Sequence, residues 1–180
     1  GSGVQELYTM KPDGYDQTRL TTGMGFAGSY AYSPDSSSIA YISDYNLWKI
    51  NADGSGAVLL ADLENNVENP QFSPDGTKII FIYDGKIWQM DADGSNQVDL
   101  GILEYAERAR FAPDGSKIVF SSNSEIYTAN SDGTNVTKII DDDVVQYELN
   151  IPEYSPDGAK LLMECRGIGP NSGINICTSN

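Results

Sequence analysis

A period of about forty residues runs through the chain. One anchor is a Pro-Asp turn at Ser33-Pro34-Asp35, Ser73-Pro74-Asp75-Gly76, Ala112-Pro113-Asp114-Gly115 and Ser155-Pro156-Asp157-Gly158, with proline spacings of 40, 39 and 43. The other is an Asp-Gly pair at Asp13-Gly14, Asp53-Gly54, Asp93-Gly94 and Asp132-Gly133, spaced 40, 40 and 39. Two interleaved anchors that keep one period require a small module stacked on copies of itself.

The residues between anchors alternate as strands do. After each Pro-Asp turn comes a β-rich run: Ser38-Ile39-Ala40-Tyr41-Ile42, Lys78-Ile79-Ile80-Phe81-Ile82, Lys117-Ile118-Val119-Phe120 and Lys160-Leu161-Leu162-Met163. An aromatic (Tyr32, Phe72, Phe111, Tyr154) precedes each turn, and a further strand follows at Leu47-Trp48-Lys49-Ile50, Ile87-Trp88-Gln89-Met90 and Ile126-Tyr127-Thr128-Ala129. The Asp-Gly pairs suit two-residue hairpins in which both positions take positive φ. They lead into a fourth strand such as Val58-Leu59-Leu60. Four short antiparallel strands per forty residues make one blade of a β-propeller. The fold expected is all-β: about four four-stranded blades, with no substantial helix.

The run Phe72-Ser73-Pro74-Asp75-Gly76-Thr77-Lys78-Ile79-Ile80-Phe81, followed by Ile87-Trp88-Gln89-Met90-Asp91-Ala92-Asp93-Gly94-Ser95, resembles the WD-like repeat of the TolB β-propeller family. The resemblance extends from Leu7 to about Cys177. It implies a binding scaffold that works outside the cytoplasm, periplasmic or secreted, and names no ligand. Propellers of that family usually carry six or more blades, whereas four Pro-Asp hairpins are present here.

The domain reading is a Gly1-Ser2-Gly3 cloning remnant, then one propeller over 4–180. Its repeats fall near 23–62, 63–102, 103–141 and 142–180, with closing strands in 4–22. Two closures are open. In the 3+1 form the 19–22 segment adds the outermost strand to the last blade; in the 2+2 form Leu7–Met10 pairs there as well. A third arrangement is a larger ring built from two chains, that is, a homodimer through the terminal strands.

Charge and composition narrow the function. Eleven basic against 26 acidic residues leave a net charge of −15, which repels phosphate backbones and argues against a nucleic-acid partner. No histidine is present, which removes His-based triads and histidine-ligated zinc. No apolar run is long enough for a membrane-spanning helix. The two cysteines, Cys165 and Cys177, are too few for a disulfide scaffold or a four-cysteine metal site. A regular hairpin register would put Cys177 near Leu161 instead of Cys165.

Asp91-Ala92-Asp93-Gly94-Ser95-Asn96 starts like a calcium loop. Its counterparts recur at the blade period and no bidentate Glu follows, so a hairpin turn is the better reading. Asp141-Asp142-Asp143 reads as a solvated loop. No metal and no cofactor are expected. The residues just before each innermost strand do not repeat, and they would surround the mouth of an axial channel. Candidate partner-binding positions there and in the inserted loop after Cys165 are Glu68, Asn69, Tyr105, Glu107, Arg108, Arg110, Tyr147 and Arg166. A structural ion-pair network of Glu68, Glu107 and Arg108 is the alternative for part of that set. The expected function is non-enzymatic: binding of a protein or peptide. Two alternatives stand beside it. One is an engineered or excised propeller piece that assembles into a larger ring without a native ligand. The other is a glycosidase with Glu68 and Glu107 as its carboxylate pair.

Overall fold

A computed structural model describes residues 5–23, 27–102, 105–123, 125–139, 147–167 and 174–179, with backbone alone at 27, 147–151, 163–167 and 174–179. Every regular element among them is a strand. A short pair, β1 (Tyr8–Thr9) and β2 (Thr18–Arg19), precedes three complete blades. The first blade is β3 (Ala27–Tyr32), β4 (Ser38–Ser43), β5 (Asn46–Asn51) and β6 (Val58–Ala61). The second is β7 (Val67–Phe72), β8 (Lys78–Tyr83), β9 (Lys86–Asp91) and β10 (Val98–Asp99). The third is β11 (Ala106–Phe111), β12 (Lys117–Ser122), β13 (Glu125–Asn130) and β14 (Thr137–Lys138). A three-stranded sheet follows, made of β15 (Tyr147–Tyr154), β16 (Leu161–Gly167) and β17 (Ile174–Ser179). Each complete blade is an antiparallel meander in chain order.

Stacking explains why the second strand of each blade is apolar on both sides. Ile39 and Tyr41 pack with Leu7 and Leu20, whereas Ala40 and Ile42 turn the opposite way onto Phe72, Ile79 and Phe81 of the second blade. One blade later, Ile80 and Ile82 face Ala109, Ile118 and Phe120. Ile79, Ile80 and Phe81 are fully enclosed, and burial of such side chains stabilises by about 1.5–3 kcal/mol each. A lone sheet could enclose neither face; neighbours on both sides do.

Both turn anchors contribute to this stacking. In the Pro-Asp turn, Gly76 N–H donates to the Ser73 carbonyl at 2.8 Å, closing the turn. Asp75 Oδ1 accepts from Ser73 Oγ at 2.6 Å and from Thr77 N at 3.0 Å. The serine hydroxyl bond, followed by the backbone amide, holds the Asp75 carboxyl down at about 2, and the same contacts hold Asp35 at about 2. Pro34 Cδ lies 3.6 Å from where a Cβ on Gly76 would stand, and Pro74 meets Gly115 in the same way, so each proline rests on the next blade's turn.

The Asp-Gly turns depart from the two-residue form expected. Asn51 N–H donates to the Ser55 carbonyl and Gly54 N–H to the Asn51 carbonyl, which leaves a three-residue loop. Only the glycine takes positive φ (+86 for Gly54 and Gly133), the arrangement of a type I turn closed by a left-handed residue. The glycine is required for a second reason. A Cβ on Gly133 would stand 2.5 Å from the Leu100 carbonyl oxygen, and one on Gly94 would stand 2.8 Å from that of Leu60. Each turn thus sits against the last strand of the preceding blade. Among the described residues, genuine two-residue turns occur at Asp44-Tyr45 and Asp84-Gly85, where both positions have positive φ.

Side-chain latches also cross between blades. Lys49 Nζ donates to the Ala92 carbonyl at 2.5 Å, and Gln89 Nε2, at the equivalent position of the next blade, donates to the Ser131 carbonyl at 2.9 Å.

Innermost strands lie side by side in chain order: β3 beside β7, β7 beside β11, β11 beside β15. Among the described residues β15 does not return to β3, and β1 and β2 pair only with each other. Among the described residues β1 and β2 make neither the 3+1 nor the 2+2 pairing with the last sheet, where β17 is the end strand. Asn175, which lacks the aromatic character of Tyr8, Trp48 and Trp88, still pairs with Cys165, and Cys177 pairs with Met163. The side chains of both cysteines lie outside the described residues, as does the whole of Asp141-Asp142-Asp143.

Candidate functional site: the end where the innermost strands begin

All but one of the predicted positions lie within strands, neither before them nor, for Arg166, in the inserted loop. Glu68 and Asn69 belong to β7, Glu107, Arg108 and Arg110 to β11, Tyr147 to β15 and Arg166 to β16; only Tyr105 precedes its strand. A bulge hides these strand starts from a reading of alternation. Register shifts occur between Ala27 and Tyr30, Glu68 and Gln71, Ala106 and Arg108, and Asn150 and Glu153, at matching places in four innermost strands. The extra residue breaks the period of two on which strand recognition depends.

The bulges bring part of the predicted set together. Asn69 has φ +53 and sends its Nδ2 to the Glu107 carbonyl at 2.8 Å, joining two neighbouring innermost strands. Tyr105 is also held at positive φ (+65) and is 67% exposed. It stands over the Asp84-Gly85 turn, where Ala106 N–H donates to the Gly85 carbonyl at 2.8 Å. Arg108 and Arg110 lie opposite Ser121 and Val119, on the face turned to the last sheet. Burial of Arg110, reinforced by the charge of Arg108, lowers its pKa from the ordinary arginine value, and Glu153 opposes that shift.

Glu68 does not join the arginines. Its Oε1 accepts from Asn66 Nδ2 at 2.5 Å, and its side chain lines a separate cleft beside the first blade. Among the described residues no ion pair joins Glu68 to Arg108. Tyr147 and Arg166 occupy opposite ends of nearby β15–β16 pairs, Tyr147 with Gly167 and Glu148 with Arg166. Their side chains lie outside the described residues.

The calcium-like segment is occupied by its own turn. Asp93 accepts from the amide and hydroxyl of Ser95, and Asp91 from Lys78 at 2.5 Å and Asn96 at 2.6 Å. Among the described residues no three His, Cys, Asp or Glu side chains gather as a metal site. Sequence reasoning missed Asp44 and Tyr45, which line the cleft with Asn66 and Glu68. The available signal was the break of Asp84-Gly85 to Asp44-Tyr45 at one repeat position.

Four-stranded meanders stacked through their innermost strands define a β-propeller. A family model described as the TolB beta propeller domain matches residues 1–141, and the chain belongs to the TolB β-propeller family. Among solved structures it is similar to TolB from Acinetobacter baumannii, at 22% identity and a TM-score of 0.78, over 95% of this chain and 45% of that one. A putative TolB from Agrobacterium tumefaciens matches at 20% identity and a TM-score of 0.80, over 97% of this chain and 70% of that one. An oligogalacturonate lyase in complex with manganese shares the fold at 15% identity and a TM-score of 0.70, over 95% and 53% of the two chains. The chain thus spans about half the length of the first of these relatives. No curated protein matches the sequence. No helix among the described residues is long and apolar enough to cross a membrane.

Proposed function

We propose that the chain is a non-enzymatic scaffold that binds a protein or peptide at the end where its innermost strands begin. The observation that carries this reading is the Asn69–Glu107 bridge beside Tyr105. There, unrepeated side chains stand on bulged strands, and a large aromatic is exposed at a strained backbone position. Strain of this kind costs about 1–3 kcal/mol and is concentrated at functional sites. Tyr and Arg supply the rigid and planar contacts that dominate protein interfaces. Family membership supports an extracytoplasmic, periplasmic or secreted, location. A structure of a nidogen/laminin complex shares the fold at a TM-score of 0.66, which supports protein binding on this architecture. Self-association through the edges of β1 and β17 belongs to the same reading and is checked by solution mass.

The test is a displayed peptide library selected against the chain. Enriched peptides whose affinity falls about tenfold or more with Tyr105→Ala or Arg108→Ala support the site, since such residues contribute about 2 kcal/mol or more when central. Enriched peptides indifferent to both substitutions overturn it. Hydrolysis of a glycoside that is lost with Glu68→Gln or Glu107→Gln would instead establish the carboxylate enzyme.

A further inference from the structure

The first and second complete blades meet differently from the second and third. In the latter pair, Gly85 closes the joint: its carbonyl accepts from Ala106, and a Cβ added there would already be 3.4 Å from the Tyr105 nitrogen. In the former, the same turn position is Tyr45, 63% exposed at φ +63. A cleft of about 690 Å³ opens beside it, a volume within the usual range of small-ligand sites. Ile42 and Val67, both buried, supply an apolar wall. Asp44 and Glu68 supply two carboxylates, and among the described residues no basic side chain lines the cleft. The Asp44 carboxylate has no hydrogen-bond partner among the described residues, whereas Glu68 is oriented by Asn66.

We propose that this cleft binds an organic cation: a guanidinium or alkylammonium group on an apolar stem. The argument is chemical complementarity. The stem matches Ile42 and Val67, the cation lies between two carboxylates, and the exposed Tyr45 ring offers a face for cation–π contact. The net charge of −15 draws such ligands toward the chain and repels anionic ones. A divalent ion is a poor fit, since calcium takes six or more oxygen ligands and magnesium an octahedral set. The folding role of the turn does not require tyrosine, because glycine serves at the matching position without strain.

The test is a chemical-shift titration of the isotope-labelled chain with blocked arginine (N-acetylarginine methylamide), agmatine, and the uncharged isostere N-acetylcitrulline methylamide. The expected result is saturable shifts at residues 44–45 and 66–68 with the arginine probe, and binding of the citrulline probe at least about tenfold weaker, because the neutral isostere loses the charge-assisted bonds to the carboxylates. Tyr45→Gly should weaken the arginine probe about three- to tenfold through loss of the ring contact. Its thermal midpoint should stay equal or rise, because glycine relieves the positive φ. Glu68→Gln should weaken the probe as well. Agmatine binding as tightly as blocked arginine identifies a free small cation as the ligand class; tighter binding of blocked arginine identifies a basic side chain of a peptide. Equal binding of the citrulline probe, shifts confined to other residues, or indifference to both variants overturns the proposal. Tyr105→Ala should leave the titration unchanged, so this site and the partner surface fail independently.

Discussion

Tyr32 and Phe72 occupy the same repeat position, the aromatic just before a Pro-Asp turn, and their surroundings differ. Phe72 is 9% exposed and packs into the cluster shared by the first two complete blades. Tyr32 is 50% exposed and, among the described residues, lies beside the outer pair β1–β2, with its hydroxyl 3.2 Å from Thr9 Oγ1. Tyr30, two residues earlier on the same face, is 64% exposed. The side chain alone therefore does not make a core residue. In a stacked repeat, burial belongs to the joint between two modules, and the same residue type changes role with its neighbour.

The sharpest way to break this comparison is to truncate both rings. Phe72→Ala should cost about 3–5 kcal/mol, the range for a buried aromatic. Tyr32→Ala should cost about 1 kcal/mol or less, the worth of one exposed hydrogen bond and partial burial. Denaturant unfolding of the two variants measures both, and equal losses would refute the role assigned to the neighbouring blade. A second pair extends the comparison to backbone. Gly133 and Gly14 share φ +86, but a Cβ at Gly133 meets the preceding blade at 2.5 Å and one at Gly14 meets nothing within 4 Å. Alanine should cost about 1–2 kcal/mol at Gly14 from φ alone. It should cost clearly more at Gly133, where the Leu100 carbonyl must also move; thermal melts of the two variants read the difference.

The smallest effect sharpens the comparison from the opposite side. Asp35 and Asp75 are both held at about 2 although their blades stand in different joints, because the bonds responsible come from their own turns. Their depressed carboxyls stabilise the fold above the ordinary value near 3.8, and that contribution is lost as pH falls through about 2. Ser33→Ala and Ser73→Ala should each raise the adjacent carboxyl toward its ordinary value by similar amounts, followed by carboxyl NMR titration. Unequal shifts would mean that the joint reaches into the turn.

The same division explains what could be read in the sequence. Turn chemistry, strand order and the repeat depend on residues within a few positions of each other, and Ser73-Pro74-Asp75-Gly76 carries its own hydrogen bonds. The bulges at Asn69 and Glu107 were not legible, because they erase the alternation that marks a strand. The cleft beside Tyr45 was missed for a related reason. Its two walls lie about twenty residues apart and on different blades, so only the substitution of Tyr45 for a glycine was visible in the chain itself.

The seating of each Asp-Gly glycine on the preceding blade has a directional consequence. A blade presents one surface shaped to receive a turn and another that offers one, as Leu60 receives Gly94 and Leu100 receives Gly133. A gene segment encoding one such unit could be duplicated between the second and third blades, and the new copy would find a matching surface on both sides. The number of modules can then change by inheritance of whole units without any redesign of the contacts between them.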